Sequence, residues 1–223
     1  MDCIKFAKID FMKTLSQMKI MVIFLVIAFF FGAKMDGYYW PVIYLGFGGI
    51  LMATTPFFNE ILAERGFFIL LPAKAGSRMR GRYLFGTGFI LACCMCGAII
   101  AGLASLYTKV MLQYFVPIIL IIFSAVLVCN SIQFLIFTFL NVKNAQVLSL
   151  IRMVIPFVVF FVGNGISEEI INNPEHMATT LAYMVQYIEQ NIVIVSLVFF
   201  VGSILITILC CEISAWREVR KEG

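Results

Sequence analysis

The chain has 223 residues, of which 62% are hydrophobic and only 13% charged, and its net charge is +4. A soluble domain is about 45–50% apolar and roughly 25% charged, and a soluble core this small cannot hide the excess, so the solvent is lipid. The composition excludes a separate soluble domain, because no charged block reaches domain length, and it does not point to nucleic acid.

Residues 1–19 carry Ile4, Ala7, Phe11, Leu15 and Met18 at helical spacing, with Lys5, Lys8, Lys13 and Lys19 among them. That pattern predicts a helix lying in the membrane interface; a basic tail that only fixes topology is the plainer alternative. No small-residue cleavage site follows the first apolar run, so the segment is not read as a cleavable signal.

A span needs about 20 mostly apolar residues. Six stretches qualify: 18–33, 40–58, 83–106, 114–140, 148–166 and 191–211. Tyr38, Tyr39 and Trp40 form an aromatic belt at the start of the second. The whole of 1–223 therefore reads as one all-α transmembrane domain. Fourteen of the 16 Lys and Arg fall in the N-terminus, the 57–83 segment, the 141–152 segment and the C-terminal tail. Lys34 and Lys109 alone lie in the alternate loops. The bias places both termini and the 57–83 loop in the cytoplasm.

The last outer loop, 167–190, has no Lys or Arg and carries Glu168, Glu169, Glu175 and Glu189. Asn173-Pro174-Glu175 is a helix start, with a cap, a proline at the first position and an acid at the positive helix end. Met177, Leu181, Met184 and Ile188 then share one face, so a short outer helix is expected, with a disordered acidic loop as the alternative.

Small residues in register let helix backbones approach closely in lipid. Cys93, Gly97, Ala101 and Ser105 do so in the third span, Gly49 and Ala53 in the second, and Ala28 and Gly32 in the first. In the fourth span Asn130, Gln133 and Phe137 share a face. Polar groups in hydrocarbon must be partnered or wet, so this face either lines a substrate path or bonds helix to helix. The seven cysteines read as reduced thiols, six of them within apolar runs and Cys3 next to the start. The sole histidine, His176, and the absence of a phosphate-binding Gly-rich loop argue against an enzyme and against a nucleotide site in this chain.

The 57–83 segment holds Arg65, Lys74, Arg78, Arg80 and Arg82. It carries an apolar stripe of Phe57, Phe58, Ile61 and Leu62, a polar face of Asn59, Glu60, Glu64 and Arg65, and breaks at Gly66 and Pro72. Such a segment suits docking on a soluble partner. Glu64-Arg65-Gly66, Leu71-Pro72 and Arg82-Tyr83-Leu84 resemble the loop between spans two and three of ABC-2-type permeases, in particular the short bacterial ones without a large outer domain. The pattern departs from theirs at Lys74-Ala75 and Arg78-Met79.

The resemblance implies the membrane subunit of an ATP-binding-cassette exporter in the bacterial plasma membrane. It implies a coupling helix with Glu60, Ile61, Leu62, Glu64, Arg65, Gly66, Leu71 and Pro72 at the contact with the ATPase. ATP and Mg would sit on that partner, and the second half of the pore would be another copy of this chain or a sister permease. Short members of the family export amphipathic peptides such as phenol-soluble modulins and bacteriocins, or confer immunity to them. An ATP-independent membrane scaffold or bacteriocin-immunity protein is the alternative reading.

Overall fold

The computed structural model describes residues 2–15, 18–34, 39–62, 74–108, 114–140, 147, 149–158, 187–188 and 190–222. Its regular elements are α-helices: α1 (Asp2–Leu15), α2 (Met18–Lys34), α3 (Trp40–Ala53), α4 (Thr55–Leu62), α5 (Ala75–Thr108), α6 (Phe115–Phe139), α7 (Ser149–Val158) and α8 (Ile192–Glu222).

Four stretches are long and apolar enough to cross a membrane: Trp40–Asn59, which joins α3 to α4, then Ala75–Ser105, Phe115–Phe139 and Ile192–Arg220. They coincide with the second, third, fourth and sixth spans expected from sequence. The first expected span is α2, which has 17 residues and makes a fifth candidate only together with α1, across a bend of 72°. The fifth expected span is α7, described only as far as Val158. The described residues thus carry four spans, or five with the bent pair. Apart from Tyr187, Ile188 and Gln190, the expected outer helix lies outside the described residues.

The helix α3 sits in the middle, and its glycines show why. A Cβ on Gly46 would lie 2.8 Å from Val126 of α6, one on Gly48 3.0 Å from the Phe24 ring of α2, and one on Gly49 3.2 Å from Cys93 of α5. Three helices therefore lean on three faces of one glycine-bearing turn. The small-residue stripe of α5 meets α3 within the same chain: a Cβ on Gly97 would fall 2.7 Å from the Val42 Cα. Dispersion at this short range holds helices together where lipid offers no hydrophobic drive.

Two expectations change in the structure. The basic residues Arg78, Arg80 and Arg82 do not lie in a loop, because α5 begins at Ala75. No proline follows until the helix has ended, and glycine alone costs too little to stop it. At 34 residues α5 is about 50 Å long, well beyond a hydrocarbon core of about 30 Å. The antiparallel α8, with 31 residues, overshoots at the same end.

The helix α1 is also turned differently from a simple amphipath. Phe6, Asp10 and Thr14 face the protein, while Ile4, Phe11 and Leu15 of the expected stripe are exposed. The α1 backbone rests on α5 at Gly81, where a Cβ would come within 2.6 Å of the Cys3 carbonyl oxygen. Those exposed positions of the apolar stripe are the ones that an interfacial helix would turn to lipid.

Candidate functional site

Charge concentrates where α1, α4 and the overshooting ends of α5 and α8 meet. Arg80 donates two hydrogen bonds to the Glu212 carboxylate, at 2.9 and 2.6 Å, and Arg78 pairs with Glu218 at 3.4 Å. The first pair is exposed and worth about 0–1 kcal/mol; the second is largely buried and fixes register more firmly. Between them, Ala215 and Val219 pack against Gly76. The starts and ends of the two longest helices are thereby stapled into one stem.

A second layer lies deeper. Arg82 of α5 is buried, 3.6 Å from Asp10 of α1, and its guanidinium lies over the Phe57 ring of α4 at 4.8 Å. Burial pushes the Asp10 carboxyl above its usual range, against the pull of Arg82, Lys13 and Arg78. Phe57 in turn stacks on Phe134 and Phe137 of α6, at 6.1 and 5.7 Å, and Tyr83 meets Phe134 edge-on at 5.1 Å. The Tyr83 hydroxyl donates to the Ser131 carbonyl at 3.3 Å and shares a hydrogen bond of 3.0 Å with Ser214. Ser131 and Thr207 share another at 2.9 Å, which links α6 to α8. The buried face of α4 is therefore wired into α1, α5 and α6.

The third layer surrounds the break between α3 and α4. Thr54 is the residue at which the helix is interrupted, and Pro56 follows. Proline has no N–H to give, and it also disturbs the carbonyl four residues back. The Thr54 hydroxyl donates to the Ile50 carbonyl at 2.9 Å and that of Thr55 to the Leu51 carbonyl at 2.9 Å. Arg152 of α7 reaches into this break. It donates to the Thr54 hydroxyl at 3.0 Å, and to the Thr55 hydroxyl and the Leu51 carbonyl. Its guanidinium also lies 5.5 Å from the Phe58 ring. Gln133 of α6 donates from Nε2 to the Arg152 carbonyl at 2.9 Å.

The polar trio of the fourth span is thus placed as follows. Asn130, Gln133 and Phe137 are fully buried within this chain. Gln133 bonds helix to helix, and Phe137 belongs to the aromatic cluster under α4. Among the described residues neither amide atom of Asn130 has a hydrogen-bond partner, and its Nδ2 would lie 3.2 Å from a Cβ on Gly86.

A model of ABC-2 family transporter proteins matches residues 8–215. The chain belongs to that family. It is therefore a multi-pass membrane protein and the permease subunit of an ABC transporter, a family that works with an ABC ATPase. No curated protein and no solved structure matches it.

In this ABC-2 permease Glu60, Ile61 and Leu62 form the last turn of α4, and their side chains are outside the described set. Glu64, Arg65, Gly66, Leu71 and Pro72 lie outside the described residues altogether. Sequence reasoning missed Asp10, Arg82 and Arg152 as partners in the permease. Arg152 was counted only as a topology charge, and Arg82 as a loop charge and as part of the Arg82-Tyr83-Leu84 motif. The signal for the third layer was Thr54-Thr55-Pro56, two helix-capping hydroxyls before a helix breaker, in the middle of an apolar run.

Proposed function

We propose that this permease is one half of an exporter and that α4, with the segment after it, is the coupling element on which the ATPase acts. The observation that carries this is the wiring of α4. Its Phe57 lies under Arg82 of α5 and against Phe134 and Phe137 of α6, so a push on α4 reaches two other helices directly and α1 through the Arg82–Asp10 pair. The polar residues Glu60, Glu64 and Arg65 follow that anchored face and form the contact, with Ile61 and Leu62 holding the element to the bilayer or to neighbouring spans. The full chain crosses the membrane six times with both termini in the cytoplasm, and a second copy or a sister permease completes the pathway. ATP and Mg act on the partner. The substrate class is an amphipathic peptide or similarly hydrophobic molecule, a reading that rests on the resemblance to short exporters.

The test is association with an ABC ATPase co-expressed with the permease. One exposed charge is worth only about 0–1 kcal/mol, so the double variant Glu60→Lys with Glu64→Lys is the decisive one. The wild-type permease should co-purify the ATPase and raise its hydrolysis rate, and the double variant should insert but lose either association or stimulation. Wild-type association and transport in the double variant would remove α4 and its continuation from the interface.

A further inference from the structure

An arginine placed one turn into an apolar helix needs an acceptor for its charge. Arg152 has no carboxylate within ion-pair distance among the described residues. Its partners are the Leu51 carbonyl and the hydroxyls of the buried Thr54 and Thr55, acceptors at the point where α3 stops. A helix C-terminus carries partial negative charge, and a guanidinium there both satisfies carbonyls and offsets the dipole. The same guanidinium lies against Phe58, one turn into α4. It therefore holds both sides of the break.

The main chain of Arg152 is fixed from the other direction, by Gln133 of α6. Ile151 and Ile155 of α7 pack against the buried core beside it. We propose that Arg152 is the positioning residue through which displacement of α4 reaches α7. The inference rests on α4 being the element that the ATPase moves. A proline-interrupted span can bend beside Thr54 because Pro56 gives no N–H to the ladder, so the joint is held only by bonds such as Thr54 N–H to the Ile50 carbonyl and Phe58 N–H to the Thr54 carbonyl. A planar guanidinium with five donors can follow that bend, trading one neutral acceptor for the next without ever losing an ionic partner. A carboxylate partner would have locked the joint instead.

The experiment uses the permease reconstituted with its co-purifying ATPase, in a background with the seven native cysteines replaced. An environment-sensitive fluorophore is placed either on α4, at Asn59→Cys, or on α7, at Val154→Cys; both positions are exposed. The signal is compared without nucleotide and with ATP plus vanadate. In the wild-type background both probes should respond. In Arg152→Gln the α4 probe should keep its response and the α7 probe should lose it. Arg152→Lys, which offers an ammonium without the planar fork, should retain part of the α7 response.

If Arg152→Gln does not assemble, Thr54→Val with Thr55→Val removes the two hydroxyl acceptors at nearly constant shape and should give the same split. An α7 response that persists in these variants while α4 still responds would overturn the role of Arg152. So would a wild-type in which α4 responds and α7 does not. A wild-type in which α4 itself is silent would instead bring down the coupling reading, and this inference with it.

Discussion

At the scale of single residues, two neighbouring amides of α6 stand in opposite situations. Gln133 spends its Nε2 on the Arg152 carbonyl, whereas Asn130, three residues earlier, has both ends of its amide unpartnered among the described residues. Hydrogen bonds between membrane helices are worth about 0.5–2 kcal/mol. Gln133→Leu should therefore lower the melting temperature of the purified permease by the equivalent of one such bond. Asn130→Leu removes an amide that makes no bond among the described residues, and deleting such a group is neutral or stabilising. Its melting temperature should stay level or rise. If transport nonetheless falls in Asn130→Leu, the amide serves the substrate path; a fall in melting temperature would show that it bonds to something in the folded protein. Sequence placed both residues on one helix face but could not tell them apart. The difference lies in Arg152, which arrives from another helix.

At the scale of elements, the glycines divide into those on which another helix rests and those facing open space. The Cβ of an alanine at Gly97 would meet backbone of α3, at the Val42 Cα and at the Pro41 carbonyl oxygen 2.9 Å away. Backbone cannot rotate aside as a side chain can, so Gly97→Ala must separate α3 from α5, at a cost of about 1–3 kcal/mol. At Gly88 and Gly202 nothing lies within 4 Å. There the substitution should stabilise by about 0.5–1 kcal/mol, the helix-propensity difference. Thermal unfolding of the three variants in one detergent would show whether the ranking holds.

Sequence reading found the small-residue stripe and the positions of most helices, because both follow from local periodicity. The helix that carries the third span begins at Ala75, eight residues before the expected span. Charge density between Lys74 and Arg82 suggested a loop, and the carboxylates that make a helix possible there, Asp10, Glu212 and Glu218, are far away in the chain. Arg152 escaped notice for the same reason: its acceptors are two other helices, and only their packing brings them together.

At the scale of the whole molecule, the helices of the described residues gather their basic side chains at one end. Arg78, Arg80 and Arg82 at the start of α5 meet Arg217 and Arg220 near the end of α8, with α1 and its lysines alongside. Trp216 beneath the Arg220 guanidinium, at 3.7 Å, and Phe139 beneath Arg217, at 4.1 Å, give that end the aromatic girdle of a membrane surface. From the positive-inside rule we propose that this is the cytoplasmic end. In intact cells an impermeant thiol reagent should label Asn173→Cys and leave Lys74→Cys untouched, in a background without native cysteines. The reverse pattern would invert the molecule and move α4 away from any cytoplasmic ATPase.

The stem made by α5 and α8 has a consequence for how the protein comes into being. Arg80 and Glu212 are 132 residues apart, and Tyr83 and Ser214 are 131 apart. Translation delivers α5 long before α8, so the buried guanidinium of Arg78 and the hydroxyl of Tyr83 must wait at the membrane surface for partners that the ribosome has yet to make. During that interval α1, already synthesised, can settle on Gly81 and bring Asp10 to Arg82. The first helix thus satisfies one side of the start of α5 at once, while its other side, at Arg78, Arg80 and Tyr83, waits for α8.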